Sequence, residues 1–142
     1  MNALFSHIRH AGHADIPALV EMGRKFHKAS QMPCSFDVEA STGLLGRMID
    51  ADGAVVLITD AGAMGGMLSA AYCDPEWVMA IELFWWAQDR RGLLLLGAFE
   101  RWAVEKHANE VRMTTLSAIS GPEKILARRG YKSVEISHMK VI

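Results

Sequence analysis

Glu82 is the one charged residue in the run from Trp77 to Ala87. A carboxyl group set among Leu83, Phe84, Trp85 and Trp86 loses hydration, and that raises its pKa. A carboxylate of that kind accepts a proton from an amine, directly or through a water. Read as a strand, the segment puts Glu82 on one face with Ala80, Phe84 and Trp86. A basic partner from another element, or an exposed strand position, would instead make it a structural residue.

Six residues on, Gln88-Asp89-Arg90-Arg91-Gly92 leads into Leu93-Leu94-Leu95-Leu96-Gly97. Two arginines beside a helix start suit a pyrophosphate, by charge and by the fork geometry of guanidinium. A solvated loop is the plainer alternative. The four leucines cover every side of one helical turn, which suits core packing on one side and a cofactor or partner on another. Trp85 and Trp86 are neighbours on a strand, so they face opposite sides: one under a helix, the other free to line a pocket. His7, His10 and His13 are spaced by three but straddle a strand end and a loop, so no metal site is expected. Cys34 and Cys73 have no histidine nearby in sequence to activate them and read as ordinary thiols.

The elements that must hold these residues can be read in order. Phe5–Arg9 is a short strand. Asp15 can cap a helix with Pro17 in its first turn, and Ile16, Leu19, Val20, Met22, Gly23 and Phe26 form its apolar face. Asp37 starts a second helix through Leu44, Leu45, Met48 and Ile49. Ala54–Thr59 and Ala63–Tyr72 form a hairpin around Asp60-Ala61-Gly62. Cys73–Glu76 is a connection, Trp77–Trp86 a long strand and Leu93–His107 a helix. Val111–Ala118 is a strand, Gly121–Arg129 a short helix closed by Gly130 in a left-handed cap, and Val134–Ile142 a last strand. A right-handed β-α-β crossover makes Trp77–Trp86 and Val111–Ala118 parallel. The expected fold class is α/β: one domain over residues 1–142, a mixed sheet with helices on both faces.

Composition supports this and narrows function. The chain has 142 residues, 51% hydrophobic and 22% charged, which is enough apolar material for a single core. With 15 basic and 16 acidic residues the net charge is −1, so nothing draws a nucleic acid. The most apolar stretch is too short to span a membrane and carries Glu82. The N-terminus has no basic start followed by an apolar run, so no secretory signal is expected and a cytoplasmic location is. Two unpaired cysteines fit a reducing compartment.

This order of elements resembles the GNAT superfamily, the Gcn5-related N-acyltransferases, over nearly the whole chain. The likeness rests on Ile8-Arg9 with Asp15-Ile16-Pro17-Ala18-Leu19, on Glu82-Leu83-Phe84-Trp85-Trp86, and on Gln88-Asp89-Arg90-Arg91-Gly92. Leu96-Gly97-Ala98-Phe99-Glu100-Arg101-Trp102-Ala103 and Ile125-Leu126-Ala127-Arg128-Arg129-Gly130-Tyr131 complete it. The strand and helix motifs look most like small phage-encoded members. The resemblance implies acetyl-CoA as co-substrate, carried by Trp86, Ala87, Arg90, Arg91, Gly92, Leu93, Leu94, Leu95, Leu96 and Gly97, with no metal. It implies Glu82 as base, the backbone near Trp86 as oxyanion donor, and direct attack of a primary amine on the thioester. The amine belongs to a small molecule or a protein, and a second copy of the chain stays open as a partner.

Two features depart from the family pattern. The cofactor loop keeps Arg91-Gly92 but has Leu94 and Leu96 where glycine-type residues are usual. The position of the usual tyrosine acid is Leu126, and Tyr131 is a different residue. The alternative is therefore an inactive member, with Leu94 and Leu96 filling the cofactor cleft, that acts as a protein-binding or phage structural module.

Overall fold

The computed structural model describes residues 8–142. The first strand, β1, is described over Arg9–His10, and the early part of the expected Phe5–Arg9, His7 included, lies outside the described residues. Helix α1 spans Ile16–Ser30, with Pro17 early in it. Asp15 does not cap it with its side chain: the carboxylate accepts from the Gly12 N–H (2.8 Å) and pairs with Arg9 (2.7 Å). Helix α2, Val38–Asp50, starts as the sequence suggests, with the Asp37 carboxylate accepting the Ala40 N–H at 2.8 Å.

Strands β2 (Ala54–Thr59), β3 (Gly62–Ala71) and β4 (Asp74–Ala87) form an antiparallel meander. The expected connection Cys73–Glu76 is a tight turn at Tyr72 and Cys73, and Asp74, Pro75 and Glu76 already belong to β4. Helix α3 spans Gly92–Glu105, and the short strand β5 covers Glu110–Arg112. Helix α4, Pro122–Arg128, ends at Gly130 with φ +89°, the left-handed position read from sequence. The sheet order is β1-β2-β3-β4-β5, antiparallel throughout except that β5 runs parallel to β4.

Two layers of core sit on the two faces of this sheet. Helices α3 and α4 cover Val55, Leu57, Met64 and Ala80 with Leu95, Leu96, Phe99, Trp102 and Leu126. Helices α1 and α2 cover Val56, Ile58 and Ala63 with Leu19, Val20, Leu45 and Met48. The alternation of β2, Val55 and Leu57 on one side and Val56 and Ile58 on the other, is what a strand buried on both faces requires.

Three sequence expectations need correction. Pairing along Val111–Ala118 stops after Arg112, so only its start is strand. Val134–Ile142 is not a strand: it is exposed, and no strand among the described residues pairs with its backbone. The face assignment of β4 also changes. Gly65 pairs with Phe84 and Gly66 with Glu82, so Leu83 is one residue extra in β4. A bulge of this kind reverses the alternation beyond it. Ala80 and Glu82 face α3, but Phe84 and Trp86 face α1 and α2. The two glycines opposite the bulge make room for rings. A Cβ on Gly65 would lie 2.4 Å from the Phe84 ring, and one on Gly66 would lie 2.5 Å from Phe99.

Candidate active site

The bulge at Leu83 lies where β5 leaves β4. The parallel ladder runs from Met79–Glu110 to Ile81–Arg112 and ends there. Bulges bend a strand and increase its twist, so β4 turns away from the course of β5 at this point. Glu82 occupies the next position. Its carboxylate bridges the gap, accepting the Thr114 backbone N–H at 3.1 Å. The residue is buried, with 7% of its surface exposed. Burial pushes its pKa up to about 7, against the opposing pull of the Thr114 N–H. Among the described residues it has no basic partner, which removes the structural reading of a paired glutamate. What remains is a buried carboxyl poised to change charge near neutral pH.

Beyond Glu82 the two tryptophans divide as expected. Trp85 packs on the α3 side and its Nε1 donates to the Gly92 carbonyl at 3.0 Å. Trp86 points the other way, edge-on to Phe26 with 6.4 Å between ring centroids. Its Nε1 is buried without a hydrogen-bond partner among the described residues. The start of α3 is pressed against the end of β4: a Cβ on Gly92 would sit 2.8 Å from the Ala87 Cβ. Glycine is therefore needed at this turn for close approach.

The arginines behave differently from one another. Arg91 is held by Asp89, with Nε and Nη2 donating at 2.9 and 2.6 Å, and by Asp60 at 3.3 Å. This fixes the loop and spends most of the guanidinium's donors. Arg90 is exposed and makes no ion pair among the described residues. The N–H groups of Gly92 and Leu93 reach back to Asp89 and Arg90 at 3.2 Å, and Leu95 to Arg91 at 3.0 Å, while Leu94 makes no such bond. In the first turn of α3 the Leu94 N–H alone, among the described residues, is thus left free at the helix's positive end.

The leucine run resolves by side. Leu95 and Leu96 are fully buried in the core, Leu93 is 41% exposed, and Leu94 lines a cavity of about 380 Å³ against β1. That cavity also meets Gly97, Arg101 and Arg129, and includes neither Glu82 nor Trp86. Leu96 therefore belongs to the core on the α3 face of the sheet. Leu126 is buried in the same core. The Tyr131 hydroxyl donates to Glu100 at 3.0 Å, and burial together with that carboxylate pushes its pKa up. It is engaged away from Glu82. His13 pairs with Asp50 at 2.7 Å, His10 lies in β1, and both cysteines are free and exposed.

Sequence reasoning missed Thr114, whose backbone and not its side chain contacts Glu82. It also missed the pocket-forming role of Phe26, read only as part of the apolar face of its helix, and of Phe36. The alternation rule misplaced Phe84 and Trp86. Three glycine-type residues opposite the strand, Gly62, Gly65 and Gly66, were the available sign of irregular pairing.

The described architecture has counterparts among solved structures. A protein described as a probable acetyltransferase superposes with a TM-score of 0.73 at 18% identity, covering 95% of this chain and 96% of its own. A predicted acetyltransferase from Clostridium acetobutylicum, solved with acetyl-CoA, gives 0.75 at 11% identity over 94% of each chain. The fold is that of the GNAT acetyltransferases. The aminoglycoside N-acetyltransferase AAC(6')-Iy, solved with a bisubstrate analogue of CoA and acetylneamine, gives 0.70 at 14% identity over 95% and 96%. No protein-family model matches the sequence, and no curated protein does. At such identities the GNAT likeness is one of fold, and the chemistry must be argued from the site.

Proposed function

We propose that the chain is an N-acetyltransferase that moves an acetyl group from acetyl-CoA to a primary amine. The observation that carries this reading is the buried, unpaired Glu82 at the point where β4 and β5 part, beside the start of α3. A thioester lying in that opening would meet a base on one side, with the start of α3 beside it for the phosphates.

In the proposed reaction the amine lone pair attacks the thioester carbonyl carbon. Charge develops on the carbonyl oxygen and is met by a backbone N–H of β4 near Trp86, where no strand pairs on that side. Collapse breaks the C–S bond. The proton lost by the amine passes to Glu82, directly or through a water, and the departing thiolate takes a proton from water. No acyl-enzyme forms, so positioning supplies much of the rate. The pyrophosphate is assigned to Arg90 and to the positive end of α3, where the Leu94 N–H is left without a backbone acceptor among the described residues. Arg91 is assigned to holding that loop in shape, and Ala87 and Gly97 to the surfaces flanking the cofactor.

The cytoplasm, where the exposed thiols of Cys34 and Cys73 stay reduced, is the setting we assign. A second copy is also assigned as a partner. Val134 and Ile136 are 72% and 80% exposed in the unpaired C-terminal segment, and the outer edge of β5 is open. Light scattering on the full chain and on a chain ending at Lys132 tests this. A dimer that becomes a monomer on truncation is expected; a monomeric full chain would remove the assignment.

Calorimetry with CoA tests the main reading. Saturable one-to-one binding is expected, with release of free thiol from acetyl-CoA when a suitable amine is added. Absence of CoA binding by the folded chain would favour the non-catalytic, protein-binding alternative.

A further inference from the structure

The α1–α2 face of the sheet contains a second cavity, of about 230 Å³, between α1, α2 and the end of β4. Its wall is built from Met22, Phe26, Phe36, Leu44, Phe84 and Trp86, among other apolar residues, and holds no carboxylate. Met32 and Leu44 stand at its mouth, about two-fifths exposed. The polar side chains in the wall are already occupied: His27 Nε2 donates to the Cys34 carbonyl at 2.7 Å, and the Ser41 hydroxyl to the Asp37 carbonyl at 2.7 Å. Trp86 Nε1 alone is left buried and without a partner among the described residues. An indole N–H shut away in this manner costs stability unless something accepts from it.

One wall residue is smaller than its helix would prefer. Gly23 lies mid-way along α1, where glycine costs roughly 0.5–1 kcal/mol against alanine. The nearest atoms to a Cβ there would be the Phe36 ring, at 3.4 Å, an ordinary contact. Sterics do not demand glycine, and its missing side chain leaves the cavity open. The cavity shares strand β4 with Glu82. Phe84 and Trp86 follow Glu82 along β4, on the opposite face, in the stretch where β5 no longer lies alongside. A molecule seated there can reach across the bare edge of β4 to the other face.

From this we infer that the cavity binds the side group of the acceptor: a phenyl- or indole-sized apolar group, on a primary amine that also carries a hydrogen-bond acceptor for Trp86 Nε1. The assignment rests on the acetyltransferase reading. An engineered cavity of about 150 Å³ holds benzene, so the volume suits a ring of this size. The apolar wall offers no counter-charge to a polycationic sugar amine, whose desolvation there would be uncompensated.

The probe is phenylalaninamide, which combines a primary amine, a phenyl ring and an amide oxygen. Glycinamide lacks the ring, and sisomicin is a polycationic amine. Binding is read by tryptophan fluorescence and calorimetry on the full chain without CoA, and transfer by thiol release from acetyl-CoA. Phenylalaninamide is expected to bind at least about tenfold more tightly than glycinamide, from burial of the ring. Gly23→Leu fills the cavity and should abolish that preference while CoA affinity is unchanged. Trp86→Phe keeps a ring, removes the N–H, and should weaken phenylalaninamide about fivefold. If Gly23→Leu does not fold, Leu44→Gln at the exposed mouth should lower the preference in its place. Equal binding of the two amides, a preference untouched by these variants, or a preference for sisomicin would overturn the inference. Transfer to glycinamide or sisomicin without phenylalaninamide binding would overturn it and leave the acetyltransferase reading standing. Phenylalaninamide binding with no CoA binding would uphold the cavity as a ligand site but overturn its assignment to an acetyl acceptor.

Discussion

Glu82, one residue beyond the last rung of the β4–β5 ladder, and Thr114, two residues beyond it, meet carboxylate oxygen to backbone N–H at 3.1 Å. The side chain takes over where the backbone stops pairing. It satisfies an amide that the divergence of the strands would leave unpaired, and it holds its own charge at the opening. The same contact takes up only one of the two carboxylate oxygens.

Glu82→Gln retains the shape and the contact to Thr114 and loses the base. General-base help is worth ~10²–10⁴ in rate. For an accepted amine, the variant should lose at least about tenfold in kcat/KM near pH 7, or roughly 1.4 kcal/mol of transition-state stabilisation. Wild-type kcat/KM should rise through about pH 7 as Glu82 ionises, a limb the variant lacks, and the deficit should narrow at high pH where the amine is already neutral. A folded variant with the wild-type rate and profile would take Glu82 out of the mechanism.

Stability should move with pH in a defined direction. Burial raises Glu82 from 4.5 to about 7, so the folded chain holds this proton more tightly than the unfolded chain. Its contribution is fully present below about pH 4.5 and is lost as pH rises through about 7. The full swing is about 3 kcal/mol. Glu82→Gln should therefore gain stability relative to wild type between pH 4.5 and 8, seen by chemical denaturation. Parallel stability curves would show that Glu82 ionises freely in the fold.

The two arginines should separate in a CoA titration. Arg90→Ala removes a free guanidinium and should weaken CoA about tenfold, the scale of one charged hydrogen bond. Arg91→Ala releases Asp89 and Asp60 beside the proposed phosphate site, so it should weaken CoA at least as much and lower Tm besides. Arg90→Ala should leave Tm unchanged. Equal CoA affinity in wild type and both variants would move the phosphate elsewhere.

The glycine opposite Glu82 has a packing reason. A methyl group on Gly66 would lie 2.5 Å from Phe99, and 2.6 Å from the Ile81 carbonyl. Gly66→Ala should cost about 1–3 kcal/mol by overpacking, whereas Gly53→Ala, with open space around its Cβ, should cost much less. Similar midpoints for the two in urea would show that the Phe99 ring yields freely.

The sequence by itself determined the order of elements and the parallel crossover, because buried strands and amphipathic helices have periods that local residues must obey. It also singled out Glu82, since a lone charge in an apolar strand is visible without coordinates. It could not place Phe84 and Trp86. One unpaired residue at Leu83 reverses the strand's faces, and only the partner strand, through Gly65 and Gly66, reveals it. It could not tell Arg90 from Arg91 either: adjacent and alike in sequence, they differ because the folded loop turns Arg91 onto Asp89 and onto Asp60, thirty-one residues away, and leaves Arg90 exposed. The same holds at the two ends of the last third of the chain. Val111–Ala118 and Val134–Ile142 have the composition of strands, but a strand needs a neighbour for its N–H and C=O groups, and that neighbour is supplied by tertiary structure alone.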